Sequence, residues 1–331
     1  MPTAIEEFRV TGQRIDLREI MSRAQPLVLR GLCGDWPLVA LAEKSDTAFA
    51  EELARHDNGT PVDVLLIDAQ ADGKIGYNAT IDGFNYEHFR VSVTDALKRL
   101  AGYARQGTSP RGVALQSALL SQCVPDLVAT HRLPFLDASV QPRLWLGNRV
   151  TTPAHFDSTH NIAVVACGRR RFTLFPPDQV RNLYVGPIDF APTAAAISLP
   201  PLDAIDDSRW PKLREALDHA QTAELHPGDA IYIPPVWWHH VASLERLNAL
   251  VNFWWHTDGV TEPGLHALMH CLLAYKSMPP AERGAWKALL DHYVFGEEEP
   301  GAHISAERRG VLGTLTPDVL ARLKRLARPE S

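Results

Sequence analysis

The stretch Thr151-Thr152-Pro153-Ala154-His155-Phe156-Asp157 decides how this chain is interpreted. Residues i and i+2 of a β-strand point to the same face, about 6–7 Å apart along the chain. His155 and Asp157 are therefore expected to project together, while Phe156 packs on the other side. One imidazole and one carboxylate need a second imidazole to complete the three-ligand set that holds non-haem Fe(II) and leaves positions open for oxygen chemistry. Because His and Asp also meet at this spacing by chance, the pair needs support from the rest of the chain.

Two candidates for the second imidazole follow in Trp238-His239-His240-Val241, after a turn, an apolar segment and a proline break. Strand alternation lets only one of His239 and His240 face the interior. The pattern alone leaves the choice open. A structural alternative is that both are half-buried histidines of a sheet that also carries Trp237 and Trp238.

Residues 141–256 predict a strand-rich region, because short apolar runs are separated by Pro and Gly. This pattern is typical of a barrel or sandwich. The predicted strands are Pro142–Leu146, Ala154–Asp157, Ile162–Cys167, Arg169–Phe175, Ala230–Pro234, His239–Ser243 and Leu247–Trp255.

Two further groups of residues extend these motifs. The first contains Asn161, Gly168, Arg169-Arg170-Arg171 and Leu174-Phe175-Pro176-Pro177, and the second contains Pro227-Gly228-Asp229, Asn248 and Val251-Asn252-Phe253-Trp254. With them the chain resembles the JmjC or cupin-like 2-oxoglutarate oxygenases, in particular the factor-inhibiting-HIF type of asparaginyl hydroxylase and its bacterial cupin-like relatives. The segments Pro26–Gly31 and Asp35-Trp36-Pro37 also match this group. The resemblance implies a mainly β fold with flanking helices, namely a double-stranded β-helix (jelly-roll) with a C-terminal helical extension.

The resemblance implies the role of each site residue. The iron ligands are His155, Asp157 and His239, and His240 points to the other face. The residues that correspond to the family's 2-oxoglutarate contacts are Thr152, Asn161, Arg170 and Asn252. Gln116 and Trp254 are expected near the substrate.

Arg170 stands where the family commonly has a lysine that binds the distal carboxylate of 2-oxoglutarate. Strand alternation supports this position, because Arg170 shares a face with Phe172 and Leu174, and a face with two large apolar side chains is the inward one. A guanidinium can hold a carboxylate through two parallel hydrogen bonds. The family's tyrosine for the same carboxylate is absent from Val113-Ala114-Leu115-Gln116, and Tyr77 and Tyr103 are candidate replacements.

The implied activity is Fe(II)- and 2-oxoglutarate-dependent hydroxylation of a side chain in a protein or peptide, with succinate and CO2 as co-products. Three alternatives stay open. The chain can act on a small molecule or a nucleic acid, it can demethylate, or it can be a catalytically silent cupin that binds metal as a scaffold.

Composition bounds the class of protein. The 331 residues carry a net charge of −6, which argues weakly against a large nucleic-acid surface. The four cysteines include no CxxC pair, so a disulfide framework and a structural zinc site are not expected. The chain has no long apolar run for a membrane span and no apolar N-terminal leader. We therefore expect a cytoplasmic protein.

Residues 260–331 change to a helical period, with apolar residues at i, i+3 and i+4 spacings. Thr316-Pro317-Asp318 predicts the N-terminus of a last helix, with a capping threonine followed by a first-turn proline. We expect an N-terminal mixed α/β region over 1–140, a cupin core over 141–258 and a helical region over 259–331. The helical region either covers the barrel or forms a homodimer interface, and relatives that dimerise through such helices favour the homodimer.

Overall fold

The computed structural model describes residues 2–12, 15–105, 111–192, 195–257 and 264–327. The chain forms two compact units, Met1–Val260 and Thr261–Ser331. The boundary expected after residue 258 lies outside the described residues. None of the described helices has the length and hydropathy needed to cross a membrane.

The first unit is built mainly from β-strands. They are β1 (Thr3–Ala4), β2 (Glu7–Arg9), β3 (Leu27–Arg30), β4 (Val62–Ile67), β5 (Tyr86–Val91), β6 (Gly112–Leu119), β7 (Pro142–Gly147), β8 (Thr151–His155), β9 (His160–Cys167), β10 (Arg170–Phe175), β11 (Gln221–Leu225), β12 (Ala230–Ile233), β13 (Trp238–Ser243) and β14 (Asn248–Trp255).

Within the described residues the strands form two sheets. Sheet I has the order β2-β3-β12-β9-β14-β7-β6-β4-β5, and sheet II has the order β1-β11-β10-β13-β8. Strands β9, β12 and β14 lie in sheet I, whereas β8, β10, β11 and β13 lie in sheet II. The chain therefore crosses repeatedly between the two sheets, as expected for a jelly-roll. The predicted mainly β, cupin-type fold with flanking helices is confirmed. Strands β4, β5 and β6, which come from the first 140 residues, continue sheet I beyond β7.

Sheet I is covered on both faces, and β9 shows this most clearly because every one of its residues is buried. Ile162 and Val164 belong to the large core on one face of the sheet. Ala163 and Val165 point the other way, into a second core that also contains Phe172 of sheet II. That second core therefore fills the space between the two sheets, where each fully buried aliphatic or aromatic side chain contributes roughly 1.5–3 kcal/mol.

Helices of the first unit flank these sheets. They are α1 (Leu17–Ser22), α2 (Pro37–Lys44), α3 (Asp46–Arg55), α4 (Val93–Ala104), α5 (Leu120–Cys123) and α6 (Leu213–Asp218). Side-chain caps fix where several of them begin: the Ser45 hydroxyl accepts from the N–H of Ala48, and that of Ser92 from Asp95.

The second unit is helical over its described residues. It contains α7 (Gly264–Tyr275), α8 (Pro280–Leu290), a π-helical turn (Asp291–Phe295) and α9 (Pro317–Leu326). Thr316 caps α9 by accepting from the N–H of Val319, and Pro317 occupies the first turn, as predicted. No apolar side chain in residues 264–327 is buried.

Candidate metal centre

Neighbouring strands of sheet II place two imidazoles side by side. His155 ends β8 and pairs directly with His239 on β13, and their ring centroids are 4.2 Å apart. Asp157 lies in the turn after β8, with its Oδ2 3.6 Å from His239 Nε2. One candidate ligand atom from each of the three residues lies within 4.8 Å of the others.

The backbone positions Asp157 next to the two histidines in a different way from the one expected. The predicted strand Ala154–Asp157 ends at His155, so Asp157 is not placed by simple alternation. The turn after the strand brings it back toward His239. The backbone N–H of Val236 donates to the Asp157 carbonyl at 2.8 Å, which ties this turn to the start of the β13 segment.

Backbone carbonyls fix the orientation of both imidazoles. His155 Nδ1 lies 2.9 Å from the Pro153 carbonyl, and His239 Nδ1 lies 3.0 Å from the Trp237 carbonyl. A carbonyl only accepts, so each Nδ1 carries the hydrogen and each Nε2 keeps its lone pair for a metal. Burial, reinforced by the neighbouring His155, lowers the pKa of His239. His239 is therefore neutral at physiological pH, as ligation requires.

Side chains of sheet I orient the Asp157 carboxylate. Its Oδ2 accepts from Trp254 Nε1 at 3.1 Å and from Asn161 Nδ2 at 3.4 Å. Asn252 Nδ2 donates in turn to Asn161 Oδ1 at 3.2 Å, and Trp145 Nε1 donates to Asn252 Oδ1 at 2.8 Å. The predicted site residues Asn161, Asn252 and Trp254 thus form one network with Asp157, and Trp145, which the sequence analysis did not single out, completes it.

An irregularity in β8 lets Thr152 face the same side as His155. Thr152 pairs with Val241 and His155 pairs with His239, so β8 has one residue more than β13 between these two pairs. Such a bulge re-aims the side chains that follow it. Strict alternation would place Thr152 and His155, which are three residues apart, on opposite faces. The bulge allows both side chains to lie on the same face.

Arg170 is a buried cation on the inner face of sheet II. It lies at the start of β10, where Leu174 is opposite His239, Phe172 is opposite Val241 and Arg170 is opposite Ser243. Its Nε has no hydrogen-bond partner, and the described residues provide it with no carboxylate. Burial lowers the pKa of Arg170 to about 10.

Neither candidate replacement for the family's tyrosine reaches Arg170. The Tyr77 hydroxyl donates to the carbonyl of Phe190 at 2.5 Å, and Tyr77 lines a cavity with Arg171 and Thr173 on the outer face of sheet II. Tyr103 packs against the large core on the opposite face of sheet I. Within the described part of the chain, Arg170 thus has no phenol beside it.

Among the described residues, Gln116 and His240 make no hydrogen bond to the three candidate ligands. Gln116 is half-buried on β6, where its Nε2 donates to the Ala114 carbonyl at 3.5 Å. His240 is opposite Thr173, on the outer face of sheet II, so β13 separates it from His239. Burial lowers the pKa of His240 to about 4.

Sequence reasoning missed Arg143 of β7, whose guanidinium lies 5.6 Å from the Trp254 ring. The alternation Arg143-Leu144-Trp145 was the signal that could have found it.

Comparison with known proteins agrees with this geometry. A model of the cupin-like domain matches residues 13–259. A tRNA wybutosine-synthesizing protein 4 from Gibberella zeae is 26% identical over 256 residues, which is 76% of this chain and 23% of that protein. A lysine-specific demethylase, JMJ31, from Arabidopsis thaliana is 32% identical over 127 residues (38% of this chain, 23% of the relative).

A Jumonji C domain-containing protein 5 from Drosophila melanogaster is 34% identical over 118 residues, covering 35% of this chain and 28% of the relative. The chain therefore spans about a quarter of the length of these relatives. Since the family model covers most of the chain and the sheets have the jelly-roll arrangement, the chain belongs to the family of cupin-like (JmjC) domains.

Proposed function

We propose that this chain is an Fe(II)- and 2-oxoglutarate-dependent oxygenase that hydroxylates a side chain of a protein or peptide. The overall reaction consumes the substrate C–H bond, O2 and 2-oxoglutarate, and it yields the hydroxylated product, succinate and CO2. The observation that carries the proposal is the convergence of His155, Asp157 and His239 in a site that also contains a buried, unpaired arginine.

The three ligands fit iron. Two imidazoles whose Nε2 lone pairs are free and one carboxylate form the donor set of non-haem Fe(II) oxygenases. None of the ligand atoms comes from a cysteine, and burial raises the pKa of the Cys33, Cys123 and Cys167 thiols, which makes them poor ligands. When bound, Fe(II) supplies the activation of O2. The protein holds His155, Asp157 and His239 in place through the carbonyl and sheet I contacts described above.

Arg170 is the residue we assign to the distal carboxylate of 2-oxoglutarate. A cation that is buried without a counter-charge is costly, and a bound carboxylate removes that cost. Its Nε is unpartnered, and a guanidinium has the forked geometry that matches a carboxylate. Thr152 is opposite Val241 on β13, and Asn161 and Asn252 are hydrogen-bonded in a row to Asp157. We assign these three residues to the cosubstrate.

The names of the relatives leave the substrate open. The Arabidopsis relative is named a lysine-specific demethylase and the Gibberella relative a tRNA wybutosine-synthesizing protein. Demethylation and action on RNA are therefore alternatives to peptide hydroxylation, and a silent metal-binding scaffold is the alternative outside enzymes. Mass spectrometry separates them: a gain of one oxygen on a peptide supports our proposal, whereas loss of a methyl group or oxidation of RNA supports the others.

Iron-dependent decarboxylation of 2-oxoglutarate tests the proposal directly. We expect succinate formation by the wild type that requires Fe(II), and its loss in His155→Ala and in Asp157→Ala with the fold retained by circular dichroism. His240→Gln is the matched control, because this histidine lies on the outer face of β13. Succinate formation that persists in both ligand variants would show that another site carries the activity.

We also propose that the C-terminal unit forms a homodimer. Its described residues expose large apolar side chains, among them Leu273, Phe295 and Leu326. Large exposed apolar patches mark interaction sites in soluble proteins, and these side chains are candidates for such a patch. Light scattering is expected to give a dimeric mass for the wild type and a monomeric mass for a Leu273→Glu, Phe295→Glu variant; a monomeric wild type contradicts the proposal.

A further inference from the structure

Arg143 is a second cation beside the candidate metal centre, and what we infer for it rests on the proposed function. It lies on β7, opposite Asn252 of β14, and its side chain is half-buried. Its guanidinium lies 5.6 Å from the ring of Trp254, whose indole N–H donates to Asp157. One aromatic side chain therefore separates Arg143 from a metal ligand.

A strained piece of backbone holds Arg143 in place. Its Nη1 donates to both the carbonyl and the hydroxyl of Ser117, each at 3.2 Å. Ser117 has a φ of +47°, a conformation that non-glycine residues seldom adopt, and it lies where the pairing of β6 with β7 shifts between Leu115 and Ala118. Strain of this kind clusters at functional sites. Here it positions a guanidinium next to the Trp254 ring.

Three other partly buried arginines of the first unit have acidic partners, and Arg143 does not. Arg30 pairs with Asp229 at 2.7 Å, Arg111 with Glu87 at 2.9 Å and Arg169 with Glu224 at 2.6 Å. In the described part of the chain no carboxylate pairs with Arg143, and Nε and Nη2 make no hydrogen bond there. Burial lowers the pKa of Arg143, and no neighbouring charge opposes the shift.

The positive and negative charges of the proposed site balance without Arg143. The two positive charges of Fe(II) and the one of Arg170 balance the single negative charge of Asp157 and the two of 2-oxoglutarate. Arg143 then adds one uncompensated positive charge on the sheet I side, where Gln116 and Trp254 also lie. A half-buried guanidinium with free donors binds carboxylate or phosphate oxygens.

We infer that Arg143 determines substrate specificity by binding an anionic group of the peptide, a carboxylate or a phosphate, next to the side chain that is oxidised. A charge-assisted hydrogen bond of this kind favours the anionic peptide over a neutral one by about 10- to 100-fold. Arg143 acts on substrate choice, whereas Arg170 acts on the cosubstrate.

The test measures the binding of three pools of short peptides to the protein loaded with Mn(II) and 2-oxoglutarate under nitrogen. The pools are identical except for one position, which is Glu, phosphoserine or Gln. We expect the wild type to prefer the Glu or the phosphoserine pool, and the better of the two identifies the anion. Arg143→Gln is expected to lose this preference and Arg143→Lys to keep part of it. Arg149→Gln is the control, since Arg149 is an exposed arginine just after β7 and is expected to behave like the wild type.

Three results would overturn the inference: equal binding of the pools by the wild type, an unchanged preference in Arg143→Gln, or a loss of 2-oxoglutarate affinity in Arg143→Gln as large as in Arg170→Gln. Peptide-independent decarboxylation of 2-oxoglutarate by the wild type is measured in parallel. If the wild type decarboxylates 2-oxoglutarate without discriminating the pools, only the inference on Arg143 fails. If decarboxylation is absent, the proposed function fails, and the pools still report on Arg143.

Discussion

Replacing Arg170 by methionine is expected to stabilise the metal-free protein and at the same time to weaken 2-oxoglutarate binding. Methionine has a similar length and no charge, and it can occupy the same space next to Phe172. The two effects have opposite signs because Arg170 lacks a counter-charge until a carboxylate binds. A purely structural arginine would give a loss of stability and leave 2-oxoglutarate affinity unchanged.

The magnitude of the first effect follows from the burial of the charge. Burial lowers the pKa of Arg170 from its ordinary value to about 10. Each pKa unit corresponds to 1.36 kcal/mol, so the charged form is disfavoured by about 3 kcal/mol. Part of this is offset by lost packing and by contacts of the guanidinium, so we expect Arg170→Met to raise the free energy of unfolding by roughly 1–3 kcal/mol.

The magnitude of the second effect follows from the lost ion pair. Truncating one partner of a buried, hydrogen-bonded charge pair costs about 2–5 kcal/mol, and 1.4 kcal/mol is a factor of ten. The dissociation constant of 2-oxoglutarate is therefore expected to rise by about 30-fold or more. The affinity for Mn(II), which is measured separately, is expected to change far less, because Arg170 lies two inward positions along β10 from the level of His239.

Two measurements test the expected effects of Arg170→Met. Urea unfolding in the presence of a chelator gives the free energy of unfolding, and calorimetry with Mn(II) under nitrogen gives the dissociation constant of 2-oxoglutarate. Arg171→Met is the matched control, since Arg171 is exposed on the outer face and pairs with Glu224 at 3.4 Å; a surface pair of this kind is worth at most about 1 kcal/mol. A destabilised Arg170→Met protein that still binds 2-oxoglutarate normally would refute the assignment.

Three further perturbations test other parts of the structure. Trp254→Phe removes the N–H that donates to Asp157 at 3.1 Å, and titration with Mn(II) is expected to show an affinity about 10- to 100-fold lower. Burial lowers the pKa of His131, so at acidic pH the unfolded state takes up a proton that the folded state excludes. The contribution of neutral His131 to the free energy of unfolding is therefore complete above pH 6.5 and is lost as the pH falls below it. His131→Phe is expected to make this loss of stability shallower in thermal scans. Gly168→Ala is expected to cost roughly 2 kcal/mol or more in urea unfolding, because φ is +70° and the new Cβ would lie 2.4 Å from the Leu247 carbonyl.

Local patterns predicted much of the fold and the candidate site. Alternation in β10 put Arg170 on the inner face, and the structure buries it there with Phe172. The capping signal at Thr316 predicted the start of α9. Such features depend on residues that are neighbours in the chain, so the sequence displays them directly.

Features that depend on pairing between distant strands could not be read in this way. The bulge that turns Thr152 inward exists only relative to β13, and the shift that positions Ser117 exists only relative to β7. Arg143 can be recognised as an unpaired cation only when the positions of all neighbouring carboxylates are known. Strand pairing and charge environment are set by tertiary contacts, which one sequence does not show.

Whether a residue of β10 or β13 belongs to the candidate site depends on the face of sheet II on which it lies. Arg169 and Arg171 form ion pairs with Glu224, whereas Arg170 between them faces the interior without a partner. His239 and His240 are adjacent in the same way, and only His239 meets Asp157. Since a shift of register by one residue would move every side chain of β10 to the other face, the pairing of β10 with β13 positions the candidate cosubstrate residue and the candidate metal ligand together. Mutations that loosen this pairing are therefore expected to lower metal and 2-oxoglutarate affinity in parallel, even where they touch neither residue.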